Sequence, residues 1–167
     1  MPKAYRVLQN ALALAFIATL AMGCEPRDNT PGLWLSGELV TTPVDDWSFS
    51  DPFPVIYLET QTWYWIPHSV TISCATHNGQ LYLFTIYYQG GEFPEAKFWN
   101  RNVVRDPRVR LKIGNRLFEQ RVALITDPAE REIALQAFER KYPLVKELSE
   151  KPESQRPPLY FLRVEPR

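Results

Sequence analysis

Two cysteines, Cys24 and Cys74, and two histidines, His68 and His77, leave this chain of 167 residues little metal chemistry. No cluster of cysteines or carboxylates accompanies the histidines, so a zinc tetrad has no complete set of ligands. His68 is followed directly by Ser69, but consecutive residues on a strand point to opposite faces, which keeps a base and a nucleophile there from pairing. Glycine is also scarce, at seven residues. Gly90-Gly91 is a bare pair, without the further glycine or the Lys-Ser/Thr of a phosphate loop. Asp45-Asp46 and Asp51 sit among prolines and serines as turn and capping residues rather than as a catalytic carboxylate pair. Lys and Arg number 19, as do Asp and Glu, so no charge excess points to nucleic acid. No repeat and no second domain are visible.

No apolar run is long enough to cross a bilayer as a helix. The longest, Ala11 to Met22, falls short of a span. Behind Lys3 and Arg6 it has the form of a secretion signal. Its end, Leu20-Ala21-Met22-Gly23-Cys24, resembles the lipobox of bacterial lipoproteins, whose cysteine is diacylated and becomes the first mature residue. The resemblance implies a signal peptide over 1–23, lipidation at Cys24, and a place in the cell envelope, periplasm-facing or extracellular, and not in the cytoplasm. Residues 24–31 are polar and proline-bounded, a short tether ahead of a domain over 32–167. Removing residues 1–23 takes away Lys3 and Arg6 and no acid, which leaves 17 cations against 19 anions over 144 residues. That length is one domain's worth. With Cys24 acylated, Cys74 has no partner for an intramolecular disulfide, and its place in the alternation Val70, Ile72, Cys74 makes it a buried thiol.

What is present is mostly strand. After Asp106-Pro107, Arg108, Arg110 and Lys112 alternate with Val109, Leu111 and Ile113, the period of a strand with one buried face. Gly114-Asn115 turns the chain, both residues being suited to positive φ, and Phe118, Val122 and Leu124 resume the apolar face. Strands are expected near 33–40, 55–61, 68–76, 80–88, 108–113, 116–125 and 159–165, with Asn78-Gly79 turning one hairpin. Asp127-Pro128-Ala129-Glu130 opens a helix over about 128–141, whose apolar stripe is Ile133, Ala134, Ala137, Phe138 and Tyr142. A shorter turn is expected around 95–105, and loops over 41–54 and 144–158. Mostly antiparallel sheet with one or two helices suits a closed or half-open barrel.

Several segments sharpen that expectation. Gly90-Gly91, Pro94, Trp99-Asn100-Arg101-Asn102-Val103, Asp106-Pro107-Arg108-Val109, Tyr142-Pro143 and the closing Arg156-Pro157-Pro158-Leu159-Tyr160-Phe161-Leu162 resemble, in order and spacing, the split β-barrel flavin-binding proteins. These include the pyridoxamine-phosphate-oxidase-like families and, more closely, the deazaflavin-dependent nitroreductase-like family. The likeness spans roughly residues 55 to 165. It implies an FMN-binding split β-barrel, a homodimer, and FMN or a deazaflavin as cofactor, used to reduce a small molecule such as a nitro compound or quinone.

By the same resemblance Lys97, Trp99 and Asn102 line the cofactor, and His68 and Ser69 add polar contacts from the neighbouring strand. The chain departs from the pattern at one point. Relatives that bind deazaflavin precede that strand with a basic turn, whereas Glu59 to Pro67 carries no cation, and none lies between Asp51 and Lys97. A cofactor-free ligand-binding or envelope structural lipoprotein therefore stands as the alternative. The cations Lys97, Arg101, Arg105, Arg108, Arg110, Lys112, Arg116 and Arg121 suit either an anionic ligand or a solvated face. Trp63-Tyr64-Trp65 suits core packing, dimer contact, ring stacking or a membrane interface beneath the tether.

Overall fold

The computed structural model describes residues 32–167, so the expected signal peptide, Cys24 and the tether lie outside the described residues. Alternating apolar residues build the strands β1 (Glu38–Val40), β2 (Ile56–Gln61), β3 (Pro67–Ile72), β4 (Cys74–His77), β5 (Gln80–Ile86), β6 (Arg108–Ile113), β7 (Arg116–Leu124) and β8 (Leu159–Pro166). The helices are α1 (Phe98–Arg105), α2 (Pro128–Lys141) and α3 (Pro143–Ser149). One sheet runs in the order β3-β2-β6-β7-β8-β5-β4, antiparallel throughout, and β1 joins β7 in parallel. Its two end strands, β3 and β4, are consecutive in the chain with Ser73 alone between them. The run expected as a single strand over 68–76 is thus broken at the point where the sheet splits, because its halves pair with different partners, β2 and β5.

Register fixes which residues face inward. Leu58 pairs with Leu111, Leu111 with Phe118, and Val122 with Val164, so one apolar face of the curled sheet becomes the main core. The outer face of β4, β5 and β8 is covered by α2, whose Ala134, Ala137 and Phe138 are buried against Ala75, Tyr82 and Phe161. Phe138 lies with its ring 4.6 Å from Phe84 and 5.7 Å from Phe161. The Asp127 carboxylate caps α2 by accepting from the Glu130 N–H at 2.8 Å. Ile133, expected in the stripe, is 37% exposed and lies off the buried face.

Over β2, β6 and β7 the outer face has a thinner cover. Residues 33–37, the first part of the strand expected near 33–40, instead cross this face with Gly32 as a strap that becomes β1 only at Glu38. Gly32 exchanges both backbone hydrogen bonds with Ser69, at 2.9 and 3.0 Å, and the Leu35 N–H donates to Glu59 Oε2 at 2.5 Å. Two further expectations change. The loop over 144–158 contains α3, which starts on Pro143 and buries Val145 and Leu148. Gly114 has φ +61°, but Asn115 stays out of the left-handed region, so one residue alone supplies the unusual angle in that turn.

Candidate functional site

Helix α1 sits across the end of the barrel beside β2 and β3. Lys97, in extended conformation, precedes it, and Pro107 stops it by holding Asp106 out of the helical region. The inward residues Trp99, Asn100, Asn102 and Val103 are buried. Two of these are amides, which need partners away from water. Asn102 Nδ2 donates to Thr60 Oγ1 at 3.0 Å, and Thr60 donates onward to the His68 carbonyl at 3.2 Å, tying α1 to β2 and β3. Asn100 Nδ2 donates to the Tyr87 hydroxyl and, at 3.4 Å, to Thr85 Oγ1. Asn100 Oδ1 is buried with no partner among the described residues.

The start of α1 gathers the titratable groups. Lys97 Nζ lies 5.8 Å from the centre of the Tyr87 ring, and burial lowers its pKa. Tyr87 in turn meets Tyr160 edge-on at 5.4 Å, and Phe93 lies 5.5 Å from Tyr160, so the ammonium stands beside an aromatic wall. On the other side of the helix start, the His68 ring packs edge-on against Phe98 at 5.1 Å, and Arg101 stacks on Phe98 at 5.4 Å. Burial also lowers the His68 pKa, and its Nδ1 has no partner among the described residues.

The five residues expected to line one cofactor are therefore not gathered on one surface. His68, Lys97 and Asn102 cluster around α1. Trp99 is 6% exposed and packs in the main core. Ser69 pairs with Glu59 across the ladder and so faces outward, buried beside the strap, with its hydroxyl unpartnered. The basic strand is largely neutralised. Arg108 meets Asp106 at 2.6 Å, and Arg110 meets Glu119 at 3.1 Å and Glu59 at 3.5 Å. Burial raises the Glu59 pKa against the pull of the Leu35 N–H and Arg110.

Sequence reasoning missed Thr60, Tyr87, Asn100 and Tyr160. Only Asn100 had a local signal, the repeated amide of Asn100-Arg101-Asn102 on an otherwise apolar helix face. The others become site residues through strand pairing, which spacing does not reveal. Cys74 is fully buried, and burial pushes its thiol up although Lys141 Nζ lies 3.6 Å from Sγ. Among the described residues no group of three His, Cys, Asp or Glu is placed to hold a metal.

No family model and no curated protein matches this sequence. Solved structures do resemble it. A conserved hypothetical protein from Mycobacterium tuberculosis is 18% identical with a TM-score of 0.51, over 77% of this chain and 86% of that one. HutZ, the haem storage protein from Vibrio cholerae, is 13% identical with a TM-score of 0.51, over 71% and 85%. ChuZ from Campylobacter jejuni is 9% identical with a TM-score of 0.53, over 71% of this chain and 50% of its own. At such identities the likeness speaks for the fold alone, and the fold of this chain is a split β-barrel.

Proposed function

We propose that this chain is an exported, lipid-anchored split-barrel protein that binds a flavin-type ligand, FMN or a deazaflavin, and reduces a small molecule such as a nitro compound or quinone. The observation that carries the reading is Lys97, a partly buried ammonium at the start of α1 that no carboxylate among the described residues offsets. The donor set there fits an anionic group. Lys97 supplies a positive charge on one side of the helix start, no side chain caps the first turn of α1, and on the other side His68 holds a ring nitrogen unpartnered among the described residues. A flat ring finds Tyr87, Tyr160 and Phe98 nearby, and when bound it would supply the hydride chemistry. Asn102 holds the helix in place through Thr60, Trp99 packs it onto the core, and Ser69 keeps the strap on β3.

A second reading, a cofactor-free ligand-binding or structural lipoprotein, is favoured by the ion pairs of Arg108 and Arg110, which take those cations away from a phosphate. An absorbance spectrum of the protein purified from its host separates the two, since bound flavin absorbs in the visible. Titration of FMN and a deazaflavin, followed by fluorescence, then tests the site. Lys97→Ala should weaken binding roughly ten- to a hundredfold, the worth of one charge-assisted contact. Because burial lowers the Lys97 pKa, affinity for the anion should fall with rising pH earlier than a free lysine would dictate. Absence of binding to either ligand at high micromolar concentration would select the cofactor-free reading. Two companion expectations have their own measurements: mass spectrometry should find a diacylated Cys24 at the mature N-terminus, and light scattering should find a homodimer.

A further inference from the structure

The chain between Glu59 and Glu92 contains no Lys, Arg, Asp or Glu, and the β2–β3 hairpin lies within it. At its tip Trp63 is 72% exposed and Trp65 79%, with Tyr64 and Ile66 also open to solvent. Solvent-facing indoles on a hairpin tip are costly unless something covers them. The tip is also rigidly built. Thr62, itself buried, donates from Oγ1 to the Ile66 carbonyl at 2.6 Å, and the Trp65 N–H donates to the Thr62 carbonyl at 3.2 Å. Trp63 and Tyr64 brace one another edge-on at 5.2 Å. Trp65 has φ +66°, a left-handed angle that suits glycine and strains an indole-bearing residue. The fold thus holds two large aromatics outward, one of them, Trp65, in a strained backbone conformation.

The surroundings say what they face. Arg105 donates from its guanidinium to the Gln61 carbonyl at the base of the tip, and Arg105 and Arg108 line one cleft with Trp63 and Trp65, against Asp106 as the single acid. Val104, on the same helix as Arg105, is exposed as well. Aromatic rings backed by guanidinium groups are the chemistry of the lipid headgroup region, where indole and phenol straddle the apolar boundary and arginine meets phosphate. The position of the chain's entry agrees. Gly32 bridges Ser69, four residues from Trp65, a separation of about 13 Å along an extended strand. The eight residue steps from Cys24 to Gly32 reach at most about 28 Å, so a lipid on Cys24 would let this tip reach the bilayer surface.

We infer that the β2–β3 tip is a membrane-contact element, with Trp63, Tyr64, Trp65 and Ile66 seated in the headgroup region of an anionic bilayer and Arg105 beside them. The geometry of the tether rests on the anchored reading proposed above. The test uses the full protein from its host, reconstituted in vesicles of phosphatidylethanolamine and phosphatidylglycerol with brominated acyl chains. Bromine quenches only indoles that enter the lipid. Of the five tryptophans, Trp47 and Trp99 are buried in the core, which leaves Trp34 and the tip to report. The expected result is quenching of the wild type that falls by at least half in Trp63→Phe/Trp65→Phe, a change of exposed side chains that preserves the circular-dichroism spectrum. Quenching that survives the double substitution, or none in the wild type, would overturn the inference. So would disulfide-linked dimers from Trp65→Cys with no wild-type quenching, which would assign the tip to a second copy of the chain. Acylation is read separately by mass spectrometry. A lipidated but unquenched protein sinks the tip alone, and a quenched but unlipidated one sinks the anchor alone.

Discussion

Two hairpins of one sheet share a strand boundary and follow opposite rules. The β6–β7 hairpin turns on Gly114, whose φ of +61° costs glycine little, and its outward side chains are knitted into ion pairs by Arg108, Arg110 and Glu119. The β2–β3 hairpin places Trp65 at nearly the same backbone angle, φ +66°, and carries no charge beyond Glu59. Below the tips the two are alike, since Leu58 faces Leu111 across the ladder and both are fully buried. The comparison separates what folds the sheet from what the sheet carries. Inward residues obey packing in both hairpins, and the tip of one disobeys turn chemistry, which is where a role other than folding is to be sought.

The largest effect expected from this contrast is at the base. Leu111→Ala removes a fully buried side chain packed between Leu58 and Phe118, and should cost about 2–5 kcal/mol in denaturant unfolding. Trp63→Ala, a larger truncation at an exposed position, should change stability by no more than about 0.5 kcal/mol. Equal losses at the two sites would mean that the tip is part of the folding core and would erase the contrast.

The next effect lies between the hairpins, at Glu59. Its carboxylate accepts the Leu35 N–H that fastens the strap and stands 3.5 Å from Arg110, so it joins β2 to β6 on the outer face. Burial raises its pKa, which means the folded protein binds that proton more tightly than the unfolded chain. The sign follows: the contribution of Glu59 is complete below the usual carboxylate range and is lost as pH rises through the raised value. Glu59→Gln should flatten that limb of the stability-against-pH curve while keeping an acceptor for Leu35. Glu59→Ala should instead leave the Leu35 N–H buried and unpaired, costing about 1–3 kcal/mol at any pH. A pH profile unchanged by Glu59→Gln would show that this carboxylate does not titrate differently in the folded state.

How far the sequence foretold this molecule depends on which forces were local. β6 and α2 fall at 108–113 and 128–141, where alternation and an Asp-Pro cap leave one answer. The break at Ser73 was hidden, because a strand that changes partner looks continuous to periodicity. α3 was hidden by Pro143 and the charged residues after it, although tertiary burial of Val145 and Leu148 makes a helix there. At the candidate site, Lys97 and Asn102 emerged from motif resemblance, and the structure places Lys97 at the start of α1 and ties Asn102 to Thr60. Tyr87 and Thr60 had no signal, since only pairing across strands brings them to α1. The basic run on β6 suited either an anionic ligand or a solvated face, and its partners Glu59, Asp106 and Glu119, which come from three different places in the fold, were not legible in the spacing.

The smallest expected effect is the one that would sharpen the comparison most, because its sign is unusual. Holding a residue other than glycine in the left-handed region costs about 1–2 kcal/mol. Glycine pays back part of any relief through its freer unfolded chain, about 0.5–1 kcal/mol. Trp65→Gly should therefore stabilise the protein by roughly 0.5–1 kcal/mol, a rise of about 2–3 °C in Tm for a domain of this size. Trp63 lies outside the left-handed region, so Trp63→Gly gains no such relief and should lower stability by about 0.5–1 kcal/mol. Opposite signs at two neighbouring, equally exposed tryptophans would isolate backbone strain as the cause, since lost ring contacts would push both the same way. Loss of stability at both positions would mean that the Trp65 indole holds the turn together, and that the β2–β3 tip, like β6–β7, is built for folding.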